Sequence, residues 1–399
     1  MRPNIYFVLL SLLFTGSCTS KSVTENTEQV PAREVSSSNR MQAFVGTYTR
    51  KEGHVDGKAK GIYQISADTS DGQLFRVSTV PNIVNPSYVI YSPDGKYLYA
   101  ASEIGGGTDS TGYVYAYSLS GEKTQLLNRQ MSHGLAPCHL AVHPSGKYLF
   151  VANYMGGIAV YPIQDDGSLL PASDVQYLEG SGPHARQEAS HPHSVTIDRE
   201  GRFAYVADLG TDKIMIFLID QNSGKLEPAA TPFAQVAPGA GPRHLTFHPN
   251  GQLLYAINEL NSTITAFSYD RADGHLQALQ TVSTLPMDFT GDNTCADIHI
   301  EPGGRYLYGS NRGHNSIALF EIDDNNGEMT PKGHQSTSGE VPRNFAIDPY
   351  GKFLYAANQN SDNIVYFRIN PASGRLEPIG ELNIPTPVCI QFEPVRPPS

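Results

Sequence analysis

The sequence predicts an all-β fold, a seven-bladed β-propeller with four antiparallel strands in each blade. Three observations support this prediction: one phrase recurs along the chain, every copy has the pattern of short strands, and incomplete copies stand at both ends. The phrase begins at intervals of 51, 55, 50, 53 and 47 residues, and its six versions read GKYLYAAS, GKYLFVAN, GRFAYVAD, GQLLYAIN, GRYLYGSN and GKFLYAAN. A repeat of about fifty residues with several strands is typical of propeller blades.

Each copy contains the same four predicted strands. The first alternates between apolar and polar residues and ends in His-Pro, Asp-Pro or Ser-Pro before a glycine turn, as in CHLAVHPSG. The repeated phrase supplies the second strand, and segments such as IAVYPI and IMIFLID supply the third. A polar turn such as NSGKL then precedes a weaker fourth strand. Alternation with a period of two, bounded by turn residues, is the sequence signal of a strand.

Two incomplete copies at the ends of the repeat region complete the seventh blade. AFVGTYT at 43–49 resembles a second strand and GIYQISAD at 61–68 a third, whereas VCIQFEP at 388–394 resembles a first strand. The closing blade therefore takes three strands from the N-terminal side and one from the C-terminal side. Such a blade removes the open sheet edges and favours a closed ring over an open stack. We place the propeller domain at residues 41–399.

The first forty residues predict export. Arg2 precedes a short apolar run at 5–14, which is too short to span a membrane and fits a secretory signal. The segment FTGSC ends at Cys18 and resembles the lipobox of bacterial lipoproteins, although Thr15 stands where that motif usually has Leu. We expect a signal peptide at 1–18, lipidation of Cys18 and a flexible polar tether at 19–40. The alternative is ordinary signal-peptide cleavage without a lipid.

The composition limits the kinds of molecule that the protein is expected to bind. The net charge of -11 argues against nucleic acid, and we expect membrane contact only through the lipid anchor, with the protein on the periplasmic or cell-surface side. Cys138, Cys295 and Cys389 lack CxxC spacing and are expected to be buried without a disulfide. The motifs HExxH, GxSxG and the phosphate-binding glycine loop are missing from the sequence, so we expect neither a metal nor a cofactor. A closed ring needs no partner for stability, which makes a monomer the default.

The repeat provides an internal control for functional residues. A residue type present in every copy is structural, whereas a reactive side chain present in one copy needs another explanation. One variable column follows the end of the second strand and includes Glu259, Arg312 and Gln359. Two further variable columns open the innermost strand of each blade, and their polar members include Ser87, His139, His193, Ser194, Arg243, His244, Asp297, Arg343 and Asn344.

These columns are expected to lie around one mouth of the central channel, because the innermost strands of a propeller line that channel. A mouth where loops converge is also the usual ligand site on such a scaffold. From this position we predict that the substrate contacts His139, His244, Asp297, Arg343 and Gln359.

One long connection, at 178–195, adds Arg186 and Gln187, which we also predict to contact the substrate. An arginine on a long loop at the mouth would serve as a lid or an anion clamp, and a solvated loop is the alternative. His143 and His248 are different, because the same repeat position holds Asp, Glu or Ser in other copies. We expect these two histidines to hydrogen-bond within turns.

Four stretches of the chain match a known family in order and spacing. They read GSGPHARQEASHPHSV, GPRHLTFHPNGQLLYAINEL, CADIHIEPGGRYLYGSNRGHNSI and VPRNFAIDPYGKFLYAANQNSDNI. They resemble the seven-bladed propeller lactonase family, which includes cycloisomerase-type 6-phosphogluconolactonases and fungal carboxy-muconate cyclases. The resemblance covers residues 41–393, nearly the whole of the predicted mature chain.

The resemblance implies a catalytic cluster of one histidine, two arginines and one glutamate at the channel mouth. The HPHS motif places the histidine at His193, GPRH places one arginine at Arg243, the glutamate sixteen residues later is Glu259, and SNRG gives Arg312. The activity it implies is hydrolysis of a sugar lactone. The arginines would stabilise the oxyanion or hold an anionic substituent, and either Glu259 or His193 would be the general base.

Two other functions remain open at this stage. A non-catalytic propeller would bind carbohydrate or protein at the cell surface, although it predicts aromatic and neutral polar groups at the mouth. A muconate-type cyclase would use the same groups to form a lactone. The export signal also bears on the substrate, because 6-phosphogluconolactone belongs to cytoplasmic metabolism. A related unphosphorylated lactone is therefore an alternative substrate.

Overall fold

The computed structural model describes residues 39–53, 55–106, 109–121 and 123–395. The predicted signal peptide, Cys18 and almost all of the predicted tether lie outside these ranges. Within them the chain forms β-strands and no helix, so no helix there could cross a membrane.

Seven four-stranded antiparallel sheets follow one another around the ring. The N-terminal part of the chain forms β1 (Arg40–Thr47), β2 (Lys51–Glu52), β3 (Val55–Asp56), β4 (Ile62–Asp68) and β5 (Leu74–Val80). Blades 1 to 3, each from the innermost strand outward, consist of β6 (Pro86–Tyr91), β7 (Tyr97–Ser102), β8 (Tyr113–Ser120), β9 (Lys123–Met131); β10 (Leu135–Val142), β11 (Tyr148–Met155), β12 (Gly157–Pro162), β13 (Asp174–Gln176); and β14 (Pro192–Ile197), β15 (Phe203–Asp208), β16 (Lys213–Ile219), β17 (Leu226–Gln235).

The second half of the ring repeats this order. Blades 4 to 6 consist of β18 (Pro242–Phe247), β19 (Leu253–Asn258), β20 (Thr263–Tyr269), β21 (Leu276–Ser283); β22 (Thr294–Ile300), β23 (Tyr306–Arg312), β24 (Ser316–Ile322), β25 (Met329–Ser336); and β26 (Pro342–Ile347), β27 (Phe353–Asn358), β28 (Asn363–Ile369), β29 (Leu376–Asn383). The last strand of the chain is β30 (Pro387–Phe392). The predicted all-β seven-bladed propeller is confirmed.

Blade 7 joins the two ends of the propeller as the sequence predicts. β30 is its innermost strand and pairs antiparallel with β1, with Val45 opposite Ile390 and Ala43 opposite Phe392. β4 and β5 complete the sheet. The small β2–β3 hairpin inserted between β1 and β4 is an addition that the repeat pattern did not predict.

The blades are held together by apolar packing and by tyrosine hydroxyls. Each hydrophobic cluster is shared by neighbouring sheets; one cluster, for example, joins Tyr255 and Ile257 of blade 4 to Leu307 of blade 5. The hydroxyl groups of five tyrosines in the second strands donate to a glycine carbonyl in the following blade, and these tyrosines are Tyr99, Tyr205, Tyr255, Tyr308 and Tyr355. The last of them crosses to the closing blade by bonding Gly72. This packing fixes the inner strands whose first residues build the mouth.

Several of the small polar residues that end the second strands bind the loops at the mouth. The side chain of Asn153 donates to the carbonyl of Ser132, and that of Asn358 to the carbonyl of Thr337. In blade 3, Asp208 accepts instead, from the backbone of His191 and other groups. Each such bond ties the end of one strand to the loop that leads into the innermost strand.

Candidate active site

A β-bulge at the start of every innermost strand makes the mouth polar. In blade 4, Pro242 pairs with Asn258 and His244 with Ile257, so Arg243 is an extra residue with no partner in the neighbouring strand. The same register shift occurs at the equivalent place in the other blades. A bulge interrupts the alternation of a strand and re-aims its side chains. Two consecutive columns of the repeat therefore face one cavity.

Glu259 is the centre of the cluster at this mouth. Its carboxylate lies at the end of β19 and is 2% exposed. Oε1 accepts from Arg186 Nη1 at 2.6 Å, and Oε2 is 2.9 Å from both Arg243 Nε and Arg312 Nη2. The structure thus brings together three of the four residues of the predicted catalytic cluster, together with Arg186 from the long loop.

The three guanidinium groups determine the charge state of Glu259. Burial alone would raise the pKa of this carboxyl group, but Arg312, Arg243 and Arg186 hold it far below its ordinary value of 4.5. The pKa of Arg243 is shifted as well. Burial and the neighbouring guanidiniums of Arg343 and Arg312 lower the pKa of Arg243 to about 10. At neutral pH the cluster therefore consists of one carboxylate and three cations.

His193, the fourth residue of the predicted cluster, occupies the bulge position of β14. Its ring packs edge-on against Tyr154, with centroids 5.7 Å apart, and lies 5.6 Å from the ring of His244. Burial, reinforced by the charge of Arg243, lowers the pKa of His193 well below 6.5. The imidazole is therefore neutral at pH 7 and able to accept a proton.

Cys138 lies beside this histidine but is not an activated thiol. Its Sγ is 3.8 Å from His193 Nδ1, a distance that would suit a cysteine–histidine pair. Burial raises the pKa of the Cys138 thiol to about 12, whereas a nucleophilic cysteine needs a lowered pKa. The three cysteines within the described ranges are buried and free, as the sequence predicts.

A fourth arginine faces the cluster from blade 6. Arg343 Nη2 is 3.9 Å from Glu103 Oε1, which also accepts from the hydroxyl of Tyr48 at 2.9 Å. A small cavity of about 10 Å³, enough for about one water molecule, lies between Arg343 and Arg243. The buried Ser87 Oγ lies in the wall of this cavity and has no hydrogen-bond partner among the described residues. The cavity is suited to a single small polar group such as a water molecule.

The long loop between β13 and β14 carries Arg186 to the mouth. The guanidinium of Arg186 also contacts the Tyr154 hydroxyl, and its side chain is 44% exposed. Gln187 has a different place: it is fully buried, and its amide donates to the carbonyl of Leu209 and to Asp212. Arg186 therefore faces both the solvent and the cluster, whereas Gln187 anchors the loop.

The other predicted substrate contacts lie at different depths. Arg343 and His244 border the cavity, but Asp297 lies below it, where it accepts from His244 and Asn344. His139 is buried between Tyr88 and His244. Gln359 lies on the rim, in a depression lined also by Lys51 and Glu52. The structure does not bring His139, Asp297 or Gln359 into contact with Glu259.

Sequence reasoning left three residues of the site unassigned. Tyr48, Glu103 and Tyr154 occupy the same variable column as Glu259, so the signal was present in the repeat. His143 and His248 do bond within turns, but each also reaches a carbonyl in the next blade, that of Gly201 or Gly304. They therefore join blades as well as closing turns.

A metal centre has no support in the part of the chain that the structure describes. No group of three histidine, cysteine, aspartate or glutamate side chains there could hold an ion. Each acidic group of the cluster already has a guanidinium neighbour. The polar groups of the mouth are thus suited to charge stabilisation and proton transfer by the protein's own side chains.

Comparison with known proteins decides the family. The family model described as lactonase, 7-bladed beta-propeller, matches residues 42–392. The chain belongs to this family. It is 36% identical over 307 residues to a 6-phosphogluconolactonase of Bacillus subtilis, which covers 76% of this chain and 83% of the relative.

Two further relatives agree with this assignment. A 6-phosphogluconolactonase of Formosa agariphila is 35% identical over 310 residues, covering 76% of this chain and 85% of the relative. The solved structure of a periplasmic gluconolactonase from Pseudomonas aeruginosa superposes with a TM-score of 0.83 and 31% identity. That superposition covers 89% of this chain and 99% of the other.

Replacing Glu259 by glutamine tests the role of this carboxylate in the charged cluster at the mouth. E259Q leaves three arginines without their carboxylate, and we expect it to lower the free energy of unfolding at pH 7 by about 3 kcal/mol. The ionised carboxylate stabilises the fold above its ordinary pKa of 4.5, and this contribution is lost as the pH falls below that value. The stability difference between wild type and E259Q should therefore shrink below pH 4.5, as measured by urea unfolding. A difference that is constant from pH 7 to 3 would contradict this account.

Proposed function

We propose that this protein hydrolyses a sugar lactone at the mouth that contains Glu259. The observation that carries the proposal is a neutral, buried histidine close enough to Arg243 to be affected by its charge, where Arg243 belongs to a cluster of three guanidinium groups on one carboxylate. Ester hydrolysis needs a base for water and a positive environment for the oxyanion, and the mouth supplies both. The names of the relatives support the same reaction class.

In this mechanism His193 takes a proton from water as the water oxygen attacks the lactone carbonyl carbon. The carbonyl π electrons move to oxygen, and Arg243 and Arg312 stabilise the resulting negative charge. The tetrahedral intermediate then collapses and breaks the bond to the ring oxygen. The proton held by His193 passes to that oxygen, so the products are a carboxylic acid, which ionises, and a hydroxyl group.

Two features favour His193 over Glu259 as the base. Both oxygens of Glu259 already bind guanidinium groups, and its depressed pKa makes it a weak proton acceptor. The imidazole of His193 is neutral at pH 7 and carries no such ion pair. Glu259 then serves to orient the arginines, which would otherwise repel one another.

The charge of the mouth favours an anionic substrate. Four guanidinium groups face two carboxylates there, in a protein whose net charge is -11. Arg186 is the most exposed of the four and is placed to meet a charged substituent that remains in solvent. Arginine binds phosphate and carboxylate groups through two parallel hydrogen bonds. A phosphorylated aldonolactone such as 6-phosphogluconolactone fits this arrangement. If the protein is exported, as proposed below, the substrate is instead an anionic lactone available outside the cytoplasm.

The function test measures acid release from 6-phosphogluconolactone and from unphosphorylated gluconolactone, corrected for spontaneous hydrolysis. Wild type is expected to turn over at least one of them, and H193A to lose roughly 10²- to 10⁴-fold in kcat. Because the His193 pKa lies well below 6.5, the acidic limb of the wild-type profile of kcat/KM should also lie below that pH. H143A is the control.

Three results of this experiment would contradict the proposal. Full activity in H193A would remove that histidine from the mechanism. Wild type without turnover on either lactone would favour a carbohydrate-binding platform. Formation of a lactone from an unsaturated dicarboxylic acid would instead indicate a cyclase.

Replacing Arg186 by alanine tests the substrate class. We expect R186A to raise KM for the phosphorylated lactone roughly tenfold, with a smaller effect on the neutral lactone, because one charged hydrogen bond is lost. The matched control is R199A, a change on the opposite side of the blades. Equal losses on both lactones would place the charged substituent elsewhere.

We also propose that the protein is exported and lipidated at Cys18. The sequence of the first eighteen residues supports this, and one relative is named as periplasmic. In a bacterial host fed a labelled fatty acid, wild type should carry the label and fractionate with membranes, whereas C18S should do neither. C138S serves as the matched control and should keep the label. Label in C18S, or its absence from wild type, would rule out this anchor.

A further inference from the structure

A chain of hydrogen bonds runs across the channel beneath the mouth and ends on Arg243. It starts in the closing strand β30, where the backbone N–H of Ile390 donates to Asn344 Oδ1 at 2.7 Å. The amide of Asn344 then donates to Asp297 Oδ2. His244 Nδ1 is 2.7 Å from Asp297 Oδ1, and Arg243 Nη1 is 3.0 Å from His244 Nε2. The innermost strands of blades 7, 6, 5 and 4 each contribute one member or more.

The direction of every bond in this chain is determined at its two ends. A guanidinium group can only donate, so His244 Nε2 must accept and the proton of the neutral ring must lie on Nδ1. Burial and the charge of Arg243 lower the pKa of His244 to about 4, which keeps the ring neutral. At the other end, the N–H of Ile390 requires Asn344 Oδ1 as acceptor and so turns its amide nitrogen toward Asp297. Asp297 therefore accepts hydrogen bonds from both His244 and Asn344.

Arg243 needs this support because its surroundings repel it. It is almost completely buried near two further arginines, Arg312 and Arg343. Besides Glu259, its acceptors are the carbonyl of Ala296, at 2.6 Å from Nη1, and the ring of His244. Both contacts involve Nη1, whereas Nε binds Glu259. Hydrogen bonds at both Nη1 and Nε therefore fix the orientation of the guanidinium plane of Arg243.

We propose that His244 and Asp297 are positioning residues for the reaction, which hold Arg243 in the orientation that stabilises the oxyanion. The inference rests on the proposed function and extends it, since neither residue touches the reacting atoms. His244 supplies the acceptor for Arg243, and Asp297 selects the tautomer that makes His244 an acceptor. His299 Nε2 lies 3.0 Å from Asp297 Oδ2 and is partly exposed, so the chain also reaches toward the other end of the channel.

The structure predicts an unusual result for D297N. Asp297 Oδ2 accepts from the side chain of Asn344 and from the backbone N–H of Phe345, and Oδ1 accepts from the backbone N–H of Ile298. An asparagine with its oxygen at the Oδ2 position keeps the bonds from Asn344 and Phe345, loses the bond from Ile298, and directs its NH₂ toward His244 Nδ1. That ring nitrogen would have to become an acceptor, which moves the proton to Nε2 and places it against the donor Arg243.

The experiment compares two replacements of His244 in the full chain. Glutamine keeps an acceptor oxygen near the position of Nε2, whereas phenylalanine fills the space without one. We expect H244F and D297N each to lower kcat roughly 10- to 100-fold with little change in KM, because a hydrogen bond to a charged group is lost. H244Q should recover most of kcat. H248Q, a change at the far end of the same blade, should behave as wild type.

A spectroscopic readout separates this inference from the proposed function. In ¹⁵N NMR, the His244 signals, assigned by their absence from H244Q, should show a neutral ring protonated at Nδ1 in wild type and at Nε2 in D297N. Wild-type kcat in folded H244F and D297N would overturn the inference, as would an Nε2–H tautomer in wild type. If wild type hydrolyses no lactone, the proposed function fails, and with it the catalytic role of these residues; the tautomer result stands on its own.

Discussion

The extra residue that bulges from each innermost strand breaks the alternation that a regular strand imposes. Without it, Arg243 and His244 would point to opposite faces of β18, and one of them would be lost to the packing between blades. Because the bulge recurs around the ring, two full columns of side chains converge on one channel. Proline immediately precedes the bulged residue in six blades, and a proline in a sheet is confined to strand starts, edges and bulges because it has no N–H to donate to the ladder. The chemistry of the mouth depends on this repeated irregularity.

Buried charges are tolerated at the mouth because each has a partner of opposite sign. Taking Glu259 out of water is costly, and three guanidinium groups offset that cost, while the arginines avoid mutual repulsion only through the carboxylate. The rigid apolar packing between blades keeps these groups at fixed distances. A preorganised positive site of this kind needs little reorganisation when charge develops on a bound substrate.

The fold could be predicted from the sequence because the repeat is nearly literal and its incomplete copies add to one blade. The cluster of His193, Arg243, Glu259 and Arg312 was predictable because each residue departs from its repeat column and matches a family motif. How deeply each side chain is buried could not be predicted from the sequence, because burial depends on how neighbouring blades pack. Asp297 shows this, because it stands in a polar column yet lies beneath the cavity. Gln187 shows the same for a loop, where partners come from distant parts of the chain.

Closure of the ring by the C-terminal strand links the completion of folding to the geometry of the mouth. The most C-terminal strand that the structure describes, β30, carries the N–H of Ile390. This N–H orients the amide of Asn344 and, through Asp297 and His244, the guanidinium of Arg243. A chain whose C-terminal strand has not yet docked lacks both the seventh inner strand and the first donor of this network. The hydrogen-bond network that positions Arg243 is therefore complete only after the C-terminal strand has docked and the ring has closed.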